Sequence, residues 1–369
     1  MTHRTTARLA VVGVTVLAGL VAWSSTASAH GGDNHKKHDT IVVHPGESIQ
    51  DAVDKATRGD KVLVLPGTYH EAVCVTTDGI KLQGFGAVIR PPAQAPQTPC
   101  SFGPEGQLVG IALFGVVDFA TGTVTDPIRD VVVSGFKVIG FAEFGIFLLG
   151  GKNVDIVHNT AVNNAAYGIF RLISTGGTIK NNKATGSAEA GIYLGESPNA
   201  RASIVGNTTW NNGLFGIFVR DSSHGSVVGN TTFDNCVGII VLSTTGEPAS
   251  DWTVKRNRVK NNTKACPPGE EAPPLSGLGI ALAGAHDTKV IDNKVTGNVA
   301  SGPSVATGGI AVFSTLALGG TDPVGNLIKN NRLADNEPDL FYDGTGSDNR
   351  FIDNRCETSV PDGLCSPHH

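Results

Sequence analysis

A short motif recurs along the middle of the chain and constrains the fold more than any other feature. Each copy is a glycine, then an isoleucine, then alternating apolar positions. The copies begin at Gly145, Gly168, Gly191, Gly216, Gly238, Gly279 and Gly309. The first five are spaced by 23, 23, 25 and 22 residues. A period of this length indicates a solenoid, in which each unit packs mainly on its neighbours.

A second landmark is an asparagine that stands three positions after an aliphatic or aromatic residue. It occurs as Asn159, Asn182, Asn207, Asn230, Asn257, Asn293, Asn331 and Asn354. Asparagine tolerates left-handed φ, and its side chain hydrogen-bonds backbone in tight corners. We therefore expect it to turn the corner of each coil and to form an internal ladder from coil to coil.

The links between the apolar strands are too short, and too rich in glycine, asparagine and serine, to be helices. Helical crossovers are thereby excluded, and a β-propeller would need a unit of about 40 residues. The sequence predicts an all-β, single-stranded right-handed parallel β-helix. A short capping helix that begins after Ser48 and runs to about Ala56 should cover its amino-terminal end.

The beginning of the chain has the features of an export signal. Arg4 and Arg8 precede an uncharged apolar run and an Ala-Ser-Ala segment, which predicts a signal peptide over residues 1–29. The apolar run is shorter than the roughly 20 residues that span a bilayer, so no membrane span is expected; an uncleaved anchor is the alternative. The expected organisation is a flexible His-containing leader over 30–40, a β-helix domain over 41–365 and a tail over 366–369. Within the domain, 41–90 form the cap and first coils, and 131–356 the regular coils.

The six cysteines form an even set, which suits an oxidising compartment. Their neighbourhood in sequence suggests the pairs Cys74–Cys100, Cys236–Cys266 and Cys356–Cys365, out of roughly 15 possible connectivities. Without Arg4 and Arg8 the chain has 26 basic against 33 acidic side chains. This acidic balance argues against nucleic acid as a partner.

The opening of the predicted domain carries a family resemblance. The segment Val-Val-His-Pro-Gly-Glu-Ser-Ile-Gln-Asp-Ala-Val over 42–53, followed by Pro-Gly-Thr-Tyr-His-Glu over 66–71, is similar to the usual opening of pectin-lyase-like β-helix proteins. That superfamily includes the NosD-type copper-maturation group, and the resemblance covers about 41–365. It implies the fold and leaves the activity open, because this fold carries many functions.

Alternation along the glycine-led strands predicts a column of outward-facing residues. If Ile146 and its counterparts face inward, the next residue of each strand faces outward. The column is Phe147, Phe170, Tyr193, Phe218 and Ile240. We expect an exposed aromatic strip that binds sugar rings or another flat apolar surface. The alternative is that the stacked rings only stabilise the sheet and lie under a loop.

Candidate catalytic groups stand beside this column. Glu196 and Asp221 occupy matching positions in adjacent coils, with Arg220 and Arg171 nearby. Two carboxyl groups about 5 Å apart suit a retaining glycosidase or a shared cation such as Ca²⁺. An arginine can bind a uronate carboxylate. We therefore predict Glu196, Asp221 and Arg220 as catalytic and Arg171 as substrate-binding; the alternatives are solvated turn charges and an inward-facing Arg171.

Known active-site signatures of the superfamily are largely missing. The segment Gly-Thr-Tyr-His-Glu over 67–71 resembles the GxYxE segment of pectin methylesterases, but the other signature segments of those enzymes have no match in this chain.

A copper site is the alternative to polysaccharide chemistry. His30, His35 and His38 supply nitrogen ligands that suit Cu(II), and His368 and His369 add two more. Neither Ca nor Cu has a specific motif in this chain.

These observations predict a secreted protein that binds, or binds and modifies, an extracellular polysaccharide or cell-envelope glycan. The enzyme forms considered are a lyase, an epimerase and a glycoside hydrolase. The alternative is a non-catalytic envelope scaffold or a copper-handling protein of NosD type.

Overall fold

Three long parallel sheets wind along one axis and make up almost all of the regular structure. The computed structural model describes residues 38–94, 96, 98, 100, 108–269 and 272–366. Over these residues, sheet A has 12 strands, sheet B has 10 and sheet C has 11. Each coil runs through sheet C, then A, then B, and each strand pairs in parallel with its counterpart one coil away. The predicted right-handed parallel β-helix is confirmed.

The strand bounds are as follows. Sheet A contains Thr40–Val43, Lys61–Val64, Lys81–Gly84, Val132–Ser134, Asp155–Val157, Thr178–Lys180, Ala202–Val205, Gly225–Val228, Trp252–Lys255, Lys289–Ile291, Leu327–Lys329 and Arg350–Ile352. Sheet B contains Gly67–His70, Ala87–Arg90, Lys137–Ile139, Thr160–Val162, Lys183–Thr185, Thr208–Trp210, Thr231–Phe233, Arg258–Lys260, Lys294–Thr296 and Arg332–Ala334. Sheet C contains Val73–Val75, Ile111–Phe114, Phe144–Leu149, Tyr167–Leu172, Ala190–Gly195, Phe215–Arg220, Val237–Leu242, Leu278–Ala283, Gly308–Phe313, Leu340–Tyr342 and Ser359–Val360.

Two small strand pairs and a 3₁₀ helix lie outside these sheets. Ile128–Arg129 pairs in parallel with Gly151–Lys152, and Val116–Asp118 pairs in antiparallel with Thr123–Asp126. A 3₁₀ helix spans Leu316–Leu318.

The glycine-led strands form the core of sheet C. Ile146, Ile169 and Ile192 lie opposite one another in successive coils, and all are fully buried inside the solenoid. The glycine before each of them makes room for the neighbouring coil. A Cβ atom added at Gly191 would lie 2.9 Å from Asn212 Nδ2 and 3.0 Å from Gly216 O. The glycine is therefore required by close packing between coils.

The predicted asparagines form a continuous ladder at the corner between sheets A and B. Asn207 is typical: its Nδ2 donates to Ile179 O and to Asn230 Oδ1, both at 2.9 Å. Its Oδ1 accepts from the backbone N of Asn182 at 2.8 Å and from the Nδ2 of Asn182 at 3.0 Å. Each buried amide is thus fully used by the coils on either side.

One detail of this corner differs from the prediction. The ladder asparagines themselves do not have left-handed φ; the residue immediately before each of them does. His158 has φ of 58°, Asn181 53° and Arg256 54°. The turn is made by the preceding residue, which leaves the asparagine side chain free to point inward and hydrogen-bond along the axis.

A second asparagine ladder, not predicted from the sequence, runs along the corner between sheets B and C. It contains Asn212, Asn235, Asn262, Asn298 and Asn336. Asp339 ends it, because its Oδ1 accepts from Asn336 Nδ2 at 2.8 Å. The stack is therefore held at two of its corners.

The amino-terminal helix forms as predicted and spans Ile49–Lys55. Ser48 is its N-cap and accepts from Asp51 N at 3.2 Å. Glu71 also serves this helix end, since its carboxylate accepts from Ile49 N at 3.0 Å and Gln50 N at 3.1 Å. The GxYxE-like segment therefore supplies a helix cap.

The structure joins the three expected cysteine pairs, with Cα separations of 5.5, 6.1 and 5.3 Å that lie in the usual range for disulfides. In the described part of the chain, no helix has both the length and the apolar character to cross a membrane. The predicted signal peptide, most of the leader and residues 367–369 lie outside the described residues.

The asparagine ladder leads to a stability prediction. Asn207→Ala should lower the free energy of unfolding by about 3 kcal/mol, because it removes the hydrogen bonds that Asn207 accepts from the buried N and Nδ2 of Asn182 and donates to Ile179 O. Asn199→Ala, the same change on an exposed turn, should cost under about 0.5 kcal/mol. Urea unfolding of the oxidised protein measures both. Equal effects would show that the ladder adds no special stability.

Candidate functional site

The outward-facing aromatic column is buried, so the prediction of an exposed strip is wrong. The register is as expected, with Phe147, Phe170 and Tyr193 opposite one another. Their exposed fractions are 0%, 9% and 3%, and that of Phe218 is 7%. A sugar ring cannot lie on these side chains as they are placed here.

Packing within a second apolar cluster, outside sheet C, accounts for this burial. The ring centroids of Phe147 and Phe170 are 4.8 Å apart, and those of Tyr193 and Phe218 are 4.9 Å apart. A second set of rings, Phe144, Tyr167 and Phe215, comes from the residue before three of the glycines. Phe144 lies 4.5 Å from Phe170 and joins the same cluster. These contacts fit the alternative interpretation, in which the rings stabilise the sheet.

Arg171 lies inside the solenoid, which corrects its assignment to substrate binding. It stands opposite Leu148 and Leu194 and is 0% exposed. Nη2 donates to Gly176 O at 2.6 Å, while Nε and Nη1 have no hydrogen-bond partner among the described residues. Burial lowers the pKa of Arg171 to about 10, although nearby Asp155 opposes the shift. A group enclosed in this way cannot contact a polymer on the surface.

Glu196 and Asp221 follow sheet C strands at equivalent positions. Both have left-handed φ, 50° and 45°. Glu196 N donates to Arg220 O at 3.1 Å, and Asp221 N donates to Leu242 O at 2.9 Å, so they continue the ladder of sheet C. The tight turn places their side chains, with that of Arg220, on one rim of the sheet. We call Glu196, Arg220 and Asp221 the rim triad.

The Asp221 carboxylate is fully engaged by its surroundings. Its Oδ1 accepts from Thr244 N at 2.7 Å. Its Oδ2 accepts from Thr244 Oγ1 at 2.7 Å and from Arg220 Nε at 3.2 Å. The side chain is only 6% exposed. Asp221 therefore holds the next turn and Arg220 in place, and has little capacity left for a substrate or a cation.

Arg220 is anchored at one end only. Its Nε donates to Asp221 and, at 3.1 Å, to Thr244 Oγ1. In the part of the chain that the structure describes, Nη1 and Nη2 donate to no residue. Burial alone would lower the pKa of Arg220, but Tyr193, Asp221 and Glu196 together raise it. The guanidinium is a fixed, permanent cation with a free outer edge.

Glu196 differs from Asp221 in its exposure to solvent and in its hydrogen bonding. Its side chain is exposed, and over the described ranges it forms no hydrogen bond or ion pair. Desolvation by surrounding atoms raises its pKa, and Asp221 raises it further, while Arg220 lowers it. A carboxyl with a raised pKa, open to solvent beside a cation, can accept and return protons.

Tyr193 brings a fourth polar group to the rim, which alternation alone did not indicate. Its hydroxyl lies against Gly195, where a Cβ atom would collide with it. Its contribution to the raised pKa of Arg220 places the two groups close together. Gly195 therefore allows the phenol to reach the rim.

Of the predicted metal ligands, only His38 lies among the described residues. His30 and His35 lie outside the described residues, as do His368 and His369, and His38 is exposed beside Gly59. Within the described residues, no three His, Cys, Asp or Glu side chains gather into a possible metal site. A Ca²⁺ ion shared by Glu196 and Asp221 is disfavoured because both Asp221 oxygens are occupied.

The profile of the family described as "Right handed beta helix region" matches residues 144–318. Together with the three parallel sheets, this match shows that the chain folds as a right-handed parallel β-helix.

Solved structures extend the likeness over most of the chain. The A-module of an Azotobacter vinelandii mannuronan C-5 epimerase has a TM-score of 0.59 and 14% identity, over 83% of this chain and 88% of that chain. A periplasmic alginate epimerase has a TM-score of 0.52 and 14% identity, over 86% and 83%. A pectate lyase has a TM-score of 0.52 and 13% identity, over 85% and 80%. No curated protein matches the sequence significantly. At these identities the likeness concerns the fold.

Burial of the aromatic column leads to a second stability prediction. Phe147→Ala should lower the free energy of unfolding by about 3–5 kcal/mol, because it leaves a cavity in a packed cluster. The control is Phe85→Ala, since Phe85 is 67% exposed and should cost under about 0.5 kcal/mol. Chemical denaturation compares them. A small loss for Phe147→Ala would mean that the column is open to solvent.

The raised pKa of Glu196 has a defined effect on stability. Because the folded state binds this proton more tightly than the unfolded state, the charged carboxylate disfavours folding once the pH exceeds the folded pKa. At neutral pH, Glu196→Gln should therefore be more stable than the wild type, and the difference should vanish well below the ordinary value of 4.5. Urea midpoints across this range test it, with Glu247→Gln on an exposed turn as control. A destabilised Glu196→Gln at neutral pH would contradict the assignment.

Proposed function

We propose that this protein modifies an extracellular uronate-containing polysaccharide by removing the C5 proton of the sugar at the rim triad. The observation that supports this most directly is that the two carboxylates have different surroundings. Asp221 is saturated with hydrogen bonds, whereas Glu196 is open and has a raised pKa beside the anchored Arg220.

The different surroundings of Asp221 and Glu196 argue against hydrolysis by a carboxylate pair. A retaining glycosidase needs one carboxylate as nucleophile and a second as acid. Asp221 cannot serve as either while it accepts from Thr244 and Arg220. One free acid–base group and one fixed cation instead match the needs of proton abstraction next to a carboxylate.

In the proposed step, Glu196 takes the C5 proton, and the electron pair of the C–H bond moves into the adjacent carboxylate. The free edge of Arg220 stabilises the charge that develops there. For a lyase, the C4–O bond then breaks, a C4=C5 double bond forms, and the leaving oxygen takes a proton. For an epimerase, C5 takes a proton from the opposite face. In either case the proton comes from solvent water at the exposed rim.

The similar solved structures add support of a general kind. They are a mannuronan C-5 epimerase, an alginate epimerase and a pectate lyase. The proposal places this chain with them in reaction type and leaves the particular uronan open. Export to an oxidising compartment is part of the proposal, and three disulfides agree with it.

The test uses the oxidised protein on a panel of polyuronates and neutral glycans. Absorbance reports unsaturated products, and deuterium uptake at C5 from heavy water reports proton abstraction by lyase and epimerase alike. We expect activity on at least one polyuronate and a loss of about 100-fold or more in Glu196→Gln. Glu247→Gln should remain active.

Silence across the whole polyuronate panel would overturn the proposal. That result would favour one of the two alternatives, a non-catalytic envelope scaffold or a copper-handling protein. Full activity of Glu196→Gln would overturn the assignment of the base.

A further inference from the structure

A column of four stacked cations stands on the outer face of sheet B, away from the rim triad. Arg258 lies opposite Lys294, Lys294 opposite Arg332, and Arg332 opposite Arg355. All four side chains are exposed. Successive members are about 4.8 Å apart at the backbone, so the column extends along the solenoid axis for about 14 Å. We call these four residues the basic ladder.

Such a column is unfavourable for the isolated protein. Like charges directly opposite one another in a sheet destabilise the pairing. Nearby carboxylates would normally offset this, but none of the described Asp and Glu residues forms an ion pair with a ladder residue. Asp292, the acid closest in sequence to Lys294, lies 3.6 Å from Lys255 instead. The ladder is therefore a strip of positive charge on an acidic protein, without ion-pair partners among the described residues.

A groove lies beside the ladder, at the corner between sheets A and B. Its volume is about 580 Å³, and three ladder residues, Lys294, Arg332 and Arg355, line it. Arg256 adds a fourth cation to its wall, and two carboxylates, Asp292 and Asp353, line it as well. The groove can therefore accommodate part of a polymer whose charges meet the ladder.

Aromatic rings continue the same face beyond the end of the ladder. Trp210 and Phe233 stack with centroids 5.9 Å apart and planes inclined by 8°. Lys260 Nζ lies 5.2 Å from the Phe233 centroid. Unlike the column on sheet C, both rings are only half-buried. A flat apolar pair next to a row of cations suits a chain of sugar rings that carry acidic groups.

We propose that the basic ladder, with its groove and the Trp210–Phe233 pair, binds a linear polysaccharide that carries a carboxylate on each sugar. The evenly spaced cations match a polymer with regularly spaced anions, and arginine binds carboxylates in bidentate fashion. Nucleic acid is disfavoured because the chain has a net charge of −5. The kind of polymer rests on the proposed function, but this site requires no catalysis at the rim.

The experiment measures the affinity of a size-defined polyuronate by calorimetry at low salt. The double variant Lys294→Ala/Arg332→Ala removes the centre of the ladder. The matched control is Lys137→Ala/Lys183→Ala, which removes two exposed lysines from the same face of sheet B outside the ladder. Both variants lose the same net charge, and unfolding midpoints check that both are folded.

We expect the ladder variant to bind at least about tenfold more weakly, and the control within about twofold of the wild type. Equal losses in the two variants would reduce the effect to net charge and overturn the proposal. So would equal binding of an uncharged glucan of the same length. Binding of inorganic polyphosphate as tight as that of polyuronate would overturn the choice of a carboxylate polymer.

The design separates this proposal from the catalytic one. Ladder-dependent binding without turnover would reject the rim chemistry and leave the binding site standing. Turnover without ladder-dependent binding would do the reverse.

Discussion

The structure depends on a buried amide that hydrogen-bonds in both directions along the solenoid axis. At the corner between sheets A and B, each asparagine donates to one neighbouring coil and accepts from the other. Because both its donors and its carbonyl are used, a coil shifted by one residue would leave several buried groups without partners. The ladder thus sets the register of all three sheets, and the parallel pairing of hydrophobic strands follows from it.

The register in turn creates the rim. Glu196 and Asp221 are adjacent only because their coils are aligned, and Asp221 meets Thr244, 23 residues later, only because the next coil is aligned as well. The Asp221 carboxylate is thereby engaged by Thr244 and Arg220, which fixes Arg220 in place. The Glu196 carboxylate stays open to solvent. Sheet B uses the same alignment to stack Arg258, Lys294, Arg332 and Arg355. A parallel β-helix can therefore turn a residue repeated once per coil into a continuous chemical strip.

The period, the inward isoleucines and the first asparagine ladder could be predicted because each depends on spacing alone. The burial of Phe147 could not, since it depends on Phe144, which alternation assigns to the interior. The irregular pairing at Gly145 carries Phe144 to the outer cluster. Arg171 is a different case: the alternation that places Ile169 inward also places Arg171 inward, so the signal was present.

Sequence spacing also could not separate the roles of the two rim carboxylates. Their positions are equivalent, and the difference lies in Thr244, which hydrogen-bonds Asp221 through both its backbone and its side chain. The basic ladder was visible in principle, because Arg258 and Lys294 each follow a corner asparagine by one residue.

The asparagine ladder also determines where the sequence can carry insertions. Asn207 N donates to Asn230 Oδ1 at 2.8 Å across 23 residues, and Asn257 N donates to Asn293 Oδ1 at 2.9 Å across 36. Thirteen more residues therefore leave the corner geometry unchanged. The extra chain leaves as a loop between sheets B and C, where Cys266 attaches it to the body. Each coil of the solenoid thus keeps a fixed circumference in the stacked core. Surface loops between the strands can change in length without altering that core.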